Sequence, residues 1–131
     1  MNRWKTVKHF TSWLGLSPNN KISGGKVLHS GTKKTKSYAS KVFRLSAQSL
    51  SNSKSYLGGF YRRLKSRLGA PKANVATARK LACIFYLMLK NGVEYKDLGC
   101  DYFEEKHWER SVKNLKLKAE KFGFKLVQSS A

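Results

Sequence analysis

No Asp or Glu occurs among the first 93 residues of this 131-residue chain, although that stretch carries 19 Lys and Arg; the first acid is Glu94. Carboxylate chemistry is therefore unavailable within that stretch. The last 38 residues hold all seven acids beside eight Lys and Arg, which leaves nearly the whole formal charge of +20 on residues 1–93. Such an asymmetry points to a polyanion as partner, nucleic acid above all. With 40% hydrophobic and 12% aromatic residues the chain is no disordered basic tail. Its length suits about one domain burying roughly two-thirds of its unfolded surface.

The longest apolar run, Leu81–Leu89, has nine residues, far fewer than the ~20 of a membrane helix, and reads as a buried helix. The N-terminus lacks the continuous apolar core of a signal peptide, so neither export nor a membrane partner is expected. Cys83 and Cys100 have no CxxC or Cys/His spacing and read as reduced structural thiols of a cytoplasmic protein.

The spacing of Trp4, Val7, Phe10 and Leu14 predicts a helix over 4–14 that Gly15 and Pro18 stop. Residues 17–37 are rich in Ser, Gly, Asn, Thr and Lys and predict a loop or irregular hairpin. A helix over about 37–50 should turn Tyr38, Val42, Leu45 and Ser49 to one face, flanked by Phe43 and Leu50. Another over 56–68 should use Tyr56, Phe60, Leu64 and Leu68, with Gly58-Gly59 admitting a second backbone. The strongest pattern spans Asn74–Lys90, with Val75, Ala78, Ala82, Phe85 and Leu89 inward and Asn91-Gly92 as cap. A last helix begins near Asp101 and runs to Gly123, with Trp108, Val112, Leu115 and Phe122 on its apolar stripe; Phe124–Val127 reads as a short strand or a docked extended tail. The expected fold is therefore mainly α, a compact helical domain of about five helices with a Gly/Ser/Lys-rich loop and a short C-terminal strand. A first unit covers 1–97, and 98–131 forms a helix and tail on it.

Chemistry concentrates in Asn19–Lys26 and Gly31–Lys36. Gly24 and Gly25 let backbone N–H groups converge on an anion, while Lys21, Lys26, Lys33, Lys34 and Lys36 supply charge. The Walker A spacing is absent. These residues suit either plain phosphate-backbone contact or a reaction centre in which a serine attacks a phosphodiester. Ser23, before two glycines and between Lys21 and Lys26, is better placed than Ser12, Ser17 or Ser30. Arg62, Arg63, Lys65 and Arg67 form a second basic strip, and Arg79 with Lys80 a third. Tyr56, Tyr61 and Tyr86 fall at helical spacing and read as core rather than base-stacking groups. His9, His29 and His107 are too scattered for a metal site. Asp97, Asp101, Glu104 and Glu105 read as helix-start caps, and Trp108 and Phe122 as the groups that pin the tail helix.

Phe10-Thr11-Ser12-Trp13-Leu14-Gly15-Leu16-Ser17-Pro18, Ile22-Ser23-Gly24-Gly25-Lys26, Gly31-Thr32-Lys33-Lys34, and then Tyr56–Arg67 and Ala76–Leu81, come in an order that resembles the C-terminal domain of the insertion-sequence "one-ten" transposases. The resemblance covers about residues 7–97. It implies DNA transposition, with Ser23 as the nucleophile for strand cleavage and transfer in a full enzyme. It further implies an N-terminal RuvC-like domain with four acidic ligands for a divalent metal such as Mg, a guide RNA in some members, homo-oligomers, and a nucleoid-associated place when DNA is bound. No RuvC-like segment is present in this sequence, so a fragment or a truncated gene is expected, without a cofactor of its own and inactive alone. The alternative is a noncatalytic nucleic-acid-binding module or an inactive transposase remnant.

Overall fold

The computed structural model describes residues 1–130. Five helices follow in order: α1 (Val7–Trp13), α2 (Tyr38–Ser49), α3 (Tyr56–Leu68), α4 (Ala70–Asn91) and α5 (Tyr102–Lys121). An antiparallel hairpin of β1 (Lys21–Ser23) and β2 (Lys26–His29) stands between α1 and α2, and a 3-10 turn, Leu50–Asn52, joins α2 to α3. The mainly helical fold and the count of helices agree with the sequence reading.

The long helix α4 is the axis on which α1, α2 and α3 pack. Its packed face is small: Ala73, Thr77, Ala78 and Ala82 are fully buried and only Tyr86 adds bulk. Small side chains let neighbouring backbones come close, and aromatic groups from α1 fill the remaining space. Phe10 lies 5.6 Å from the Tyr86 ring and 5.1 Å from Trp4, and it closes the core with Leu14 and Leu16. Each such burial stabilises by about 1.5–3 kcal/mol. The Tyr86 hydroxyl donates to the Trp4 carbonyl at 2.7 Å, and Lys90 Nζ donates to the Lys5 carbonyl at 3.0 Å, which fixes the N-terminal segment to the end of α4.

Several expected faces are corrected. α4 starts at Ala70, four residues before Asn74, because Pro71, which lacks an N–H, suits a first helical turn whose N–H groups have no intrahelical partner. Phe85 and Leu89 are exposed, and the Leu81–Leu89 run is buried only along the side that carries Ala82 and Tyr86. In α2 the inward residues are Ser40, Phe43 and Ala47, whereas Tyr38, Val42 and Leu45 face solvent. Close approach to the alanine face of α4 selects small residues over the larger apolar row.

Gly58 behaves as expected: a Cβ there would overlap the Ser53 carbonyl oxygen, so only glycine lets the turn after α2 lie against α3. Ser55 caps α3 by accepting from Gly58 N–H at 3.2 Å.

The tail helix is pinned differently from the sequence reading. Trp108 and Phe122 are exposed. Contact with α3 comes instead from the first turn of α5, where Phe103 stacks 5.0 Å from Tyr56 and 6.1 Å from Phe60, and Tyr102 meets Tyr56 edge-on at 5.4 Å. Asp97 does cap a helix, but it is α3: its carboxylate accepts from Tyr56 N–H at 3.0 and 3.3 Å, from the Tyr95 hydroxyl at 2.9 Å and from Gly99 N–H at 3.2 Å. Asp101 precedes α5 without a side-chain capping bond. Residues 124–127 form no strand; Phe124 N–H donates to the Ala119 carbonyl, and Leu126 and Val127 border an open cleft shared with Trp108 and Val112.

The accessible surface is 10,355 Å², against about 7,000 Å² for a compact chain of this mass. The hairpin strands are exposed throughout, and α5 has no buried residue.

Candidate nucleic-acid interface

The hairpin is built by its turn. Gly24 and Gly25 both take positive φ, 55° and 75°, the two-residue geometry whose twist matches paired strands and which side chains other than glycine resist. Ser23 and Lys26 therefore face each other across the last rung, followed by Ile22 with Val27 and, past a bulge, Lys21 with His29. The base is closed by pairing of Pro18 with Thr32 and by Asn19 N–H donating to the Gly31 carbonyl at 2.7 Å. Gly15, with φ of 67°, turns the end of α1 against Lys33 and Thr35, where a Cβ would strike the Lys33 carbonyl at 2.7 Å. A rigid base thus carries an exposed tip that presents Ser23 opposite Lys26, with Lys21 two residues back on the rung it shares with His29. His29 sits at the opposite end of the ladder from Ser23.

Of the other serines, Ser17 is held by Thr11 at 3.0 Å, Ser12 lies on α1 and Ser30 at the hairpin base. Lys33, Lys34 and Lys36 are exposed on the segment that runs from the hairpin to α2. Arg79 and Lys80 on α4 are brought to the foot of the hairpin, where they line an open groove of about 870 Å³ together with Asn20, Ser30 and Thr32.

The α3 strip faces elsewhere and is divided. Arg62 donates to the carbonyls of Ser51 at 3.1 Å and Ser53 at 2.6 Å, which braces the turn before α3. The Arg63 guanidinium lies 5.6 Å over the Phe103 ring. Lys65 and Arg67 remain exposed near the end of the helix. Tyr61 and Tyr86 are buried, as their spacing indicated, and Tyr56 is half-buried under the tail.

The structure offers no metal centre for Ser23. Among the described residues no three His, Cys, Asp or Glu converge on a common point, and every acid lies beyond residue 93. The residues present do not fit a catalytic divalent ion. The thiols are poor nucleophiles at neutral pH: burial pushes Cys83 up against the opposing pull of Arg79 and Lys80, and the hydrogen bond to Asp101 pushes Cys100 up. Burial and then the bond to Asp97 raise Tyr95 to about 12. No helix among the described residues is long and apolar enough to cross a membrane.

Reasoning from the sequence overlooked the groove and the role of Asp97. The groove assembles from segments 16–32, 60–68 and 71–83, and no local pattern announces their meeting. A family model described as Transposase IS116/IS110/IS902 family matches residues 1–62, whereas Ala76–Leu81 lies beyond the matched stretch. No curated protein and no solved structure matches the chain. Residues 1–62, which run through α1, the hairpin and α2 into α3, are thus similar to the IS116/IS110/IS902 transposase family.

Proposed function

We propose that this chain is the serine-bearing, nucleic-acid-gripping C-terminal part of a DNA transposase, with Ser23 as the nucleophile in the complete enzyme. The observation that carries this reading is the hairpin tip. Within the stretch that the transposase family model matches, Ser23 is held opposite Lys26 on an exposed turn, in a region without a single carboxylate to repel phosphate.

Lys26, facing Ser23, attracts the phosphodiester and offsets negative charge that builds on it, and Lys21 adds charge from the far rung. Ser23 Oγ then bonds to phosphorus, the strand oxygen departs with the electron pair of the broken P–O bond and takes up a proton, and the hydroxyl proton passes to a base. The hairpin supplies cations and nucleophile. It has no carboxylate of its own, and His29 stands at the wrong end of the ladder, so the base comes from outside the hairpin. Lys33, Lys34 and Lys36, with Arg79 and Lys80, extend the grip along the strand. A guide RNA and further copies of the chain are the partners that the resemblance adds.

Replacing Ser23 by Ala tests the assignment in the complete enzyme. Strand transfer should disappear while DNA affinity and its salt dependence stay as they were, because each phosphate contact contributes roughly 0.9 to the slope of log affinity against log salt on duplex DNA. Unchanged strand transfer in the alanine variant would leave a noncatalytic binding module. Affinity that ignores salt would remove the polyanion altogether.

A further inference from the structure

We infer that the groove between the hairpin base and the α3–α4 pair receives unpaired bases of a single-stranded nucleic acid. The inference rests on the chain being a nucleic-acid binder and adds where, and in what form, the strand is held. At about 870 Å³ the groove is at the upper end of the ~300–1,000 Å³ of small-molecule sites. Its wall combines two chemistries. Phe60, Leu68, Val75 and Cys83 make an apolar floor that phosphates cannot use, and Lys72, Arg79 and Lys80 stand along it on one helix. No acid lines the groove, and none of these cations has an ion-pair partner among the described residues.

An apolar peptide would leave three cations uncompensated. A duplex would satisfy the cations but keep its bases stacked inside, with no ring face to offer Phe60. A single strand meets both demands, since its bases lie flat on aromatic and aliphatic surface while its phosphates take the cations. Asn20 and Thr32, from the hairpin base, provide an amide and a hydroxyl on the facing wall for the polar edge of a base. The groove opens at the foot of the hairpin, so a strand seated there continues toward the tip that carries Ser23.

Cys83 reports on the groove directly. In the full chain with Cys100→Ser, its maleimide labelling is followed at mildly alkaline pH with four probes: a short mixed-sequence single-stranded DNA, the same sequence as RNA, an abasic DNA of equal phosphate count, and inorganic polyphosphate. The base-bearing strands should slow Cys83 labelling, and the DNA and RNA arms show which sugar is preferred. The abasic strand and polyphosphate should bind with comparable salt dependence but leave labelling nearly unchanged. Phe60→Ala should weaken the base-bearing strands by roughly 5- to 150-fold and spare the abasic one. The labelling arm needs no change in the groove, so it stands even where Phe60→Ala fails to fold. Tight binding of base-bearing strands without protection, or equal protection by the abasic strand, overturns the groove while leaving nucleic-acid binding intact. Absence of binding by every probe at low salt overturns both.

Discussion

Two adjacent glycines at the start of α3 should respond oppositely to alanine. Alanine favours a helix over glycine by up to about 1 kcal/mol, and both positions lie in the first turns of one helix, so that gain is shared. What differs is the space. At Gly58 a Cβ would overlap the Ser53 oxygen and come within 2.9 Å of the Ser53 carbonyl carbon and 3.1 Å of the Leu50 oxygen. These are backbone atoms already held in place, since Ser53 N–H donates to Leu50 at 3.0 Å and Arg62 donates to Ser53 at 2.6 Å. Relief requires moving the whole turn, a cost of roughly 1–3 kcal/mol. At Gly59 the nearest atom is Phe103 Cδ2 at 3.3 Å, the edge of a side chain that can shift by a few tenths of an ångström. Gly58→Ala should therefore be less stable than Gly59→Ala by about 1–3 kcal/mol. Urea denaturation followed by far-UV circular dichroism reads the difference as a shift in midpoint at unchanged slope. Equal stability of the two variants, or a more stable Gly58→Ala, would refute the close approach of the 3-10 turn to α3.

Tyr95 ties the tail to α3 through Asp97, and its pKa of about 12 lies above the usual 10 because the fold favours the protonated phenol, first through burial and then through that hydrogen bond. Its contribution to stability is full below pH 10 and fades as pH climbs through 12. Tyr95→Phe should thus remove a phenol that ionises near pH 12 from an absorbance titration and flatten the loss of stability over pH 10–12; a Tyr95 that ionises near 10 would contradict the contact. Thr77 Oγ1 is fully buried on α4 without a hydrogen-bond partner, so Thr77→Val should raise stability by about 1–3 kcal/mol. A lower melting temperature for that variant would show that the hydroxyl is satisfied in solution.

The helices were legible because their apolar residues recur at helical spacing, and the hairpin because Gly24-Gly25 admits one tight turn. Helix faces were harder to read. Tyr38, Val42 and Leu45 look like the inward row of α2 when hydrophobicity alone is weighed, yet α4 presents Ala78 and Ala82, and against so small a surface Ser40 and Ala47 approach best. The same preference for close approach turns Phe85 and Leu89 outward. In α5 the apolar stripe through Trp108 suggested the contact, but the aromatic residues opposite it, Tyr56 and Phe60, lie within reach only of Tyr102 and Phe103. Asp97 capping Tyr56 across 41 positions has no local signature at all. At the candidate site, Ser23 and its lysines could be read together because they are neighbours in sequence, whereas the groove draws on three separated segments.

The placement of the acids turns the charge asymmetry of the sequence into one of position. Asp97 is engaged with Tyr56, Tyr95 and Gly99, Asp101 with Cys100, and Glu109 with Lys106 in the one salt bridge among the described residues. None of these interactions neutralises a cation of residues 1–93. Some of those cations are nonetheless occupied by the fold: Arg62 by two carbonyls, Arg63 by the Phe103 ring, and Lys90 by Lys5 and Tyr86. The α3 strip, the densest run of positive charge in the sequence, therefore devotes its first two members to holding the turn and the tail. Uncompensated charge collects instead on the hairpin, on Lys33, Lys34 and Lys36, and on the Arg79–Lys80 edge of α4. Self-repulsion among these cations destabilises the folded chain, and a polyanion laid along hairpin and groove relieves it. The same surface that weakens the isolated fold is for that reason the one on which the proposed nucleic-acid strand would sit.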